Sequence, residues 1–168
     1  MSDDLPRKLA AGDAAAYQQA YDCYGSALYR TALRILGSQH DAEDAVQEVF
    51  GAMVKSRHRL MQVTNLKAYL LTSLRHAAAR ISESRKRHAT VGLEDVMNCS
   101  PEHADTTQSL WLLVRSLPVE QREVLSLKIH GGLTFRDIGT VCGVSSNTAA
   151  SRYRYALQKL KQTLESQE

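Results

Sequence analysis

Apolar residues recur every three or four positions along most of this chain, the period of a helix face turned toward a core. The pattern predicts a short helix over residues 5–11 that stops at Gly12, with Asp13 able to cap the next helix. A long helix over 14–36 carries Tyr17, Tyr21, Tyr24, Leu28, Ala32, Ile35 and Leu36 on its core-facing side, and Gly37 ends it. Ser38 and Asp41 have capping-box spacing and open a helix reaching about residue 56, with Ala42, Ala45, Val46, Val49, Phe50, Met53 and Val54 inward. After a break over 56–65, Leu66, Leu70, Leu74, Ala77 or Ala78, and Ile81 mark a helix to about residue 87. The helical period is lost from residue 88 to about 105, where Gly92 and Pro101 fall among acidic residues, and it returns in 108–117 and 119–130. The expectation is an all-α protein: two small helical domains, 1–88 and 107–168, joined by a flexible linker over 89–106.

Residues 133–160 predict a helix-turn-helix. Thr134 and Asp137 have capping-box spacing, Ile138, Val141, Cys142 and Val144 supply an apolar seam, and Gly139 is small where two helices must approach closely. Gly143 supplies the turn, because a residue without Cβ enters left-handed φ/ψ space at little cost. Ser145 or Ser146 caps the second helix, which offers Asn147, Thr148 and Ser151, then Arg152 and Arg154. Such side chains suit DNA: Arg bridges two acceptors on a guanine edge or holds a phosphate, and short polar residues reach base edges from the major groove. A short amphipathic tail runs on from Leu160.

The formal net charge of +3 is modest but uneven. The helix over 41–56 carries Asp41, Glu43, Asp44 and Glu48 on its outer side; charge alone favours a solvated face over a docking surface. The helix over 66–87 carries Lys67, Arg75, Arg80, Arg85, Lys86 and Arg87 against Glu83 alone, with His76 and His88 as further donors. That density fits a surface that tracks phosphates and weakens steeply with salt.

Cys23, Cys99 and Cys142 are far apart and lack histidines at ligand spacing, which argues against a zinc site or a disulfide framework. No nucleophile elbow, phosphate-binding glycine loop or paired carboxylates in an apolar setting appear, so no enzyme and no cofactor are expected. No apolar run approaches a membrane span, and the opening MSDDLPRK lacks a signal peptide's apolar segment, so the expected place is the cytoplasm.

An acidic helix, a basic helix and a C-terminal helix-turn-helix, in that order, resemble the two-domain extracytoplasmic-function (ECF) type of bacterial RNA polymerase sigma factor. The resemblance rests on AGDAAAYQQAY, LYRTALRILG and DAEDAVQEVF in the first domain, and on SLPVEQREVLSLKIHGGLTFRDIGTVCGVSSNTAASRYRYALQKL in the second. It implies a region 2-like domain over 1–88 and a region 4-like domain over 107–168. The acidic helix would then dock on the β′ clamp helices of core polymerase through Asp41, Glu43, Asp44, Gln47 and Glu48. The basic helix would open and read the −10 element through Lys67, Tyr69, Arg75, His76, Arg80, Arg85, Lys86 and Arg87. Asn147, Thr148, Ser151, Arg152, Arg154 and Tyr155 would read the −35 element. The β flap and an anti-sigma protein are further partners the resemblance implies, with the free chain a monomer.

The chain departs from the family pattern at Tyr69 and His76, where a tryptophan and an asparagine are usual, and at Ala149 and Ala150, where a branched apolar residue and a cation are usual. The alanines imply a lost DNA contact and altered −35 recognition. The alternative reading is a stand-alone helix-turn-helix regulator that binds duplex DNA without polymerase.

Overall fold

Every regular element among the described residues is helical. The computed structural model describes residues 4–88 and 112–166. The helices are α1 (Leu5–Ala11), α2 (Ala14–Leu36), α3 (Gln39–Lys55), a 3-10 helix (Arg57–Gln62), α4 (Leu66–His88), α5 (Val119–Ile129), α6 (Phe135–Cys142) and α7 (Ser146–Glu165). A helical turn at 112–115 precedes α5. The domain boundaries at 89–106, Trp111 and Cys99 lie outside the described residues.

Local chemistry sets the helix starts. The Asp13 carboxylate accepts the Ala15 N–H at 2.9 Å, and the Ser38 hydroxyl accepts the Asp41 N–H at 3.3 Å. Each satisfies a donor that the first turn would otherwise leave open. The segment 56–65 is not a plain break. It forms the 3-10 helix because Leu60 has a core to enter, fully buried against α1.

In the first half, α2, α3 and α4 pack around Leu28, Val49, Met53, Leu70 and Leu74, each nearly inaccessible to water. Burying a side chain of this kind contributes about 1.5–3 kcal/mol. Two residues expected inside are outside: Tyr21 is 54% exposed and Val54 51%. The inner stripe of α2 runs instead through Ala16, Ala20, Tyr24, Leu28, Thr31 and Ala32, rotated away from Tyr21. Cys23 is also exposed, whereas Cys142 is buried as its helix face predicts.

In the second half, α6 and α7 form the helix-turn-helix. Thr134 and Asp137 complete a reciprocal capping box, and Gly143 ends α6 at φ 68°. Lys128 of α5 donates to the Leu133 carbonyl at 3.1 Å and lies 4.8 Å from the centroid of Phe135, which in turn packs on Tyr153. Leu117, Leu125 and Ala156 form a small second cluster that ties the middle of α7 to α5. The region after Leu160 is not a separate tail, since α7 continues unbroken to Glu165.

The two halves do not merely hang from a linker. Val124, Leu127, Leu133, Ile138, Val141, Cys142 and Ala149 belong to the same buried cluster as the core of α2–α4. α5 packs on α2, and α6 packs on α4. Gly131 lets the turn after α5 close: a Cβ there would press on the Leu127 carbonyl oxygen of α5 itself and stand 3.1 Å from Leu71 Cδ1 of α4.

Candidate functional site

Between α2 and α3 lies a groove of about 800 Å³, lined by Tyr21, Asp22, Tyr29, Glu43, Gln47 and Phe50 among others. The Tyr21 and Phe50 rings meet at 5.2 Å with their planes tilted by 53°, so one wall is aromatic. Asp22 and Glu43 make it acidic. Glu43 and Gln47, one turn apart, share the face of α3 that turns toward this groove.

The other acidic candidates face elsewhere. Asp41, Asp44 and Glu48 follow the i, i+3, i+7 stripe on the side toward α4. Asp41 Oδ2 accepts from Arg85 Nη1 at 2.9 Å and its side chain is only 16% exposed. Glu48 pairs with Arg80, and Asp44 lies 3.7 Å from His40 Nε2. The acidic and basic helices therefore neutralise part of each other. The Glu48–Arg80 pair is exposed at both ends, and such pairs contribute only about 0–1 kcal/mol, so a phosphate can displace the carboxylate from Arg80.

The α4 candidates also divide between faces. Tyr69, His76 and Arg80 share one stripe, with Tyr69 half-buried and His76 exposed. Lys86 and Arg87 are exposed near the helix end. Lys67 and Arg75 lie on a different side, with Leu71 between them, and that side meets the second half of the chain. Arg75 Nε donates to Glu123 Oε1 at 2.6 Å. Glu123 is itself only 8% exposed, and the Cys142 thiol is buried beside it.

On α7 the cap is Ser145, whose hydroxyl accepts the Thr148 N–H at 3.0 Å. Asn147, Thr148, Arg154 and Tyr155 are exposed, and Ser151 and Arg152 are half-buried. Arg154 donates to Ser151 at 3.2 Å. Ala149 is fully buried in the main core. Ala149, where the family pattern has a branched apolar residue, is thus a packing position, and Ala150, where that pattern has a cation, is half-buried.

Pattern placed Tyr21 in the core, and it did not single out Asp22, Tyr29, Leu71 or Glu123. The signal for Glu123 was a lone carboxylate flanked by the apolar run VLSL. Burial, with Glu123 beside it, raises the Cys142 thiol pKa to about 11. At pH 8 its thiolate fraction is then about a thousandth. Brief treatment with iodoacetamide at pH 8, followed by peptide mass analysis, should alkylate Cys23 and leave Cys142 unmodified until the chain is denatured. Equal labelling of the two in the folded protein would contradict the burial described.

Among the described residues no cluster of three or more His, Cys, Asp or Glu side chains could hold a metal, and no helix is long and apolar enough to cross a membrane.

Residues 20–88 match the family model Sigma-70 region 2, and residues 107–160 match the model Sigma-70, region 4. The chain belongs to the sigma-70 family. Its relatives place it in the ECF type: it is 27% identical over 164 residues to the ECF RNA polymerase sigma factor SigL of Mycobacterium tuberculosis, with 93% of each chain covered. The fold is that of RpoE from Bartonella quintana, solved in complex with the anti-sigma factor NepR (TM-score 0.77, 24% identity, 89% of this chain and 96% of that one). CnrH, solved with the cytosolic domain of CnrY, is also similar (TM-score 0.72, 21% identity, 98% and 97%). A stand-alone regulator, the alternative left by the sequence, does not account for a first half that matches region 2. In this sigma factor the groove and α4 lie in region 2 and the helix-turn-helix in region 4.

Proposed function

We propose that this sigma factor docks on bacterial core RNA polymerase through the α2–α3 groove, and that Glu43 and Gln47, with Tyr21, Asp22 and Phe50, carry the contact. The observation that carries this is the groove itself, an exposed Tyr21 against a half-buried Phe50, walled by carboxylates on the half that matches region 2. It suits a basic amphipathic helix, whose apolar face fills the groove and whose cations meet Asp22 and Glu43. Asp41, Asp44 and Glu48 act on α4 and on its cations rather than in the groove.

In this reading Tyr69, His76 and Arg80 present the −10 contact, where a base leaves the stack to be read on its edge. Lys67, Arg75, Arg85, Lys86 and Arg87 supply phosphate contacts. Asn147, Thr148, Ser151, Arg152, Arg154 and Tyr155 meet the −35 element from the major groove, with the capped start of α7 leading, and region 4 meets the β flap. The complex of RpoE with the anti-sigma factor NepR supports an anti-sigma protein as a further partner. The chain acts in the cytoplasm as a non-catalytic monomer that needs no cofactor.

Run-off transcription with purified bacterial core polymerase, on fragments upstream of genes in the source genome, tests the reading. Discrete starts should appear only when the protein is added, while the protein alone shifts the same duplexes weakly. Tight duplex binding with no polymerase-dependent starts would overturn it.

A further inference from the structure

Arg80 and Arg85 of α4 both meet carboxylates of α3, but the two pairs are not alike. The Glu48 side chain is 43% exposed beside Arg80, whereas that of Asp41 is 16% exposed beside Arg85. Asp41 Oδ2 accepts from Arg85 Nη1 at 2.9 Å, and the same Nη1 reaches the Leu36 carbonyl oxygen at 3.4 Å. That carbonyl is among the last of α2, which lack partners inside the helix and carry the negative end of its dipole. Asp41 is fixed in turn. It lies in the first turn of α3, where the Ser38 hydroxyl accepts its N–H. Arg85 is thus anchored to the corner where α2 passes into α3, a turn made by Gly37 at φ 74°.

The anchor leaves part of the guanidinium open. Arg carries five N–H donors in a rigid plane, and among the described residues the contacts of Arg85 with Asp41 and Leu36 both fall on Nη1. The edge formed by Nε and Nη2 suits two oxygens of one phosphate, and the side chain is 43% exposed. Lys86 and Arg87, next along α4, are exposed as well. A long cationic side chain loses rotamer freedom when it binds, so one already held in place loses less.

We propose that Asp41 is a positioning residue for promoter DNA: it holds the Arg85 guanidinium so that its open edge meets a phosphate of the −10 region already oriented. This role rests on the −10 reading of α4 given above. It divides α3 by task, with Glu43 and Gln47 facing polymerase and Asp41 acting on DNA through Arg85. A carboxylate that only neutralised Arg85 would act in the opposite sense, because the phosphate would have to displace it.

The test uses holoenzyme, formed with saturating bacterial core polymerase, and a promoter fragment mapped by run-off and pre-melted over the −10 element. Fluorescence anisotropy across a salt series gives the affinity. Asp41→Ala should weaken DNA binding by about fivefold, the scale of ordering one long side chain anew. Arg85→Ala should weaken it by about tenfold, the loss of a charged hydrogen bond. It should also flatten the plot of log affinity against log salt by about 0.7, the share of one phosphate on a single strand. In the Arg85→Ala background Asp41→Ala should bring no further loss, since groups that act as one unit do not add. Asp41→Asn keeps an oxygen at the same reach and should recover most of what alanine loses. Asp41→Glu keeps the charge and suits the third position of a helix, but its carboxylate turns back to the Ser38 N–H; it should bind DNA as weakly as alanine, and it decides the matter if the alanine variant does not fold. Core affinity of Asp41→Ala should match wild type.

DNA binding by Asp41→Ala and Asp41→Glu at or above the wild-type level would overturn the proposal. So would a second loss in the Arg85→Ala background, or an unchanged salt slope in Arg85→Ala itself. Failure of the sigma reading looks different: the wild-type protein then gives no polymerase-dependent starts, and the role of Asp41 falls with it.

Discussion

Glu43→Lys together with Gln47→Lys should lower affinity for core polymerase by about a hundredfold or more, read by fluorescence anisotropy of labelled protein titrated with core. Both residues line the groove beside Tyr21 and Phe50, so the change sets two cations where a basic helix must seat. Juxtaposed like charges at an interface cost several kcal/mol, and about 2.7 kcal/mol is already a hundredfold. Both side chains are exposed on α3, so the fold should survive, which circular dichroism checks. Asp44→Lys is the contrast. It lies on the stripe that faces α4 and pairs with His40, and it should change core affinity by no more than about threefold, the scale of an exposed pair. Equal losses in the two variants would mean that the polymerase covers the whole acidic side of α3 and that the groove is not special.

The second large effect is on region 4. Gly139→Val should destabilise the helix-turn-helix by about 3 kcal/mol or more, the upper range for forcing atoms into a packed site. A Cβ at Gly139 would stand 2.7 Å from the Val144 carbonyl oxygen, 3.2 Å from the Ser146 nitrogen and 3.3 Å from the Ser145 carbonyl carbon. All three are backbone atoms of the turn that starts α7, so no side chain can rotate to make room. Urea denaturation followed by circular dichroism should show an early transition from the second half. Run-off from promoters that need a −35 element should fall with it. Gly51→Ala supplies the control, since that glycine lies in α3 with nothing within 4 Å of the added atom; alanine there should stabilise by about 0.5–1 kcal/mol through helix propensity. If Gly139→Val melts like wild type, the turn is more compliant than its geometry implies.

Pattern and packing agree at Gly139 and part company on α3. Gly139 was legible as a close-approach site because its role is local: the turn it permits is built by residues only five to seven places away. The Thr134–Asp137 box and the Gly143 stop were legible for the same reason. The acidic helix was not. Five residues read as one docking face are split by the helix period into Glu43 and Gln47 on the groove and Asp41, Asp44 and Glu48 toward α4, and only the positions of α2 and α4 say which stripe meets which neighbour. Tyr21 illustrates the same limit. Its spacing fits the core stripe of α2, yet α3 reaches its face with Phe50, leaving the two rings as the wall of an open groove.

The helices, most of their caps, the helix-turn-helix and the order of an acidic helix before a basic one were all readable from residue pattern. Each of these depends on hydrogen bonds or periodicities spanning a few residues. Tertiary packing was needed to show that Ala149 is buried in the main core, that Leu71 is covered by the second half, and that Arg75 is answered by Glu123 from 48 residues away. A helix shows one apolar stripe to sequence reading, but it can be covered on two or three sides by elements distant along the chain. Which side each neighbour takes is fixed by the packing of all of them together.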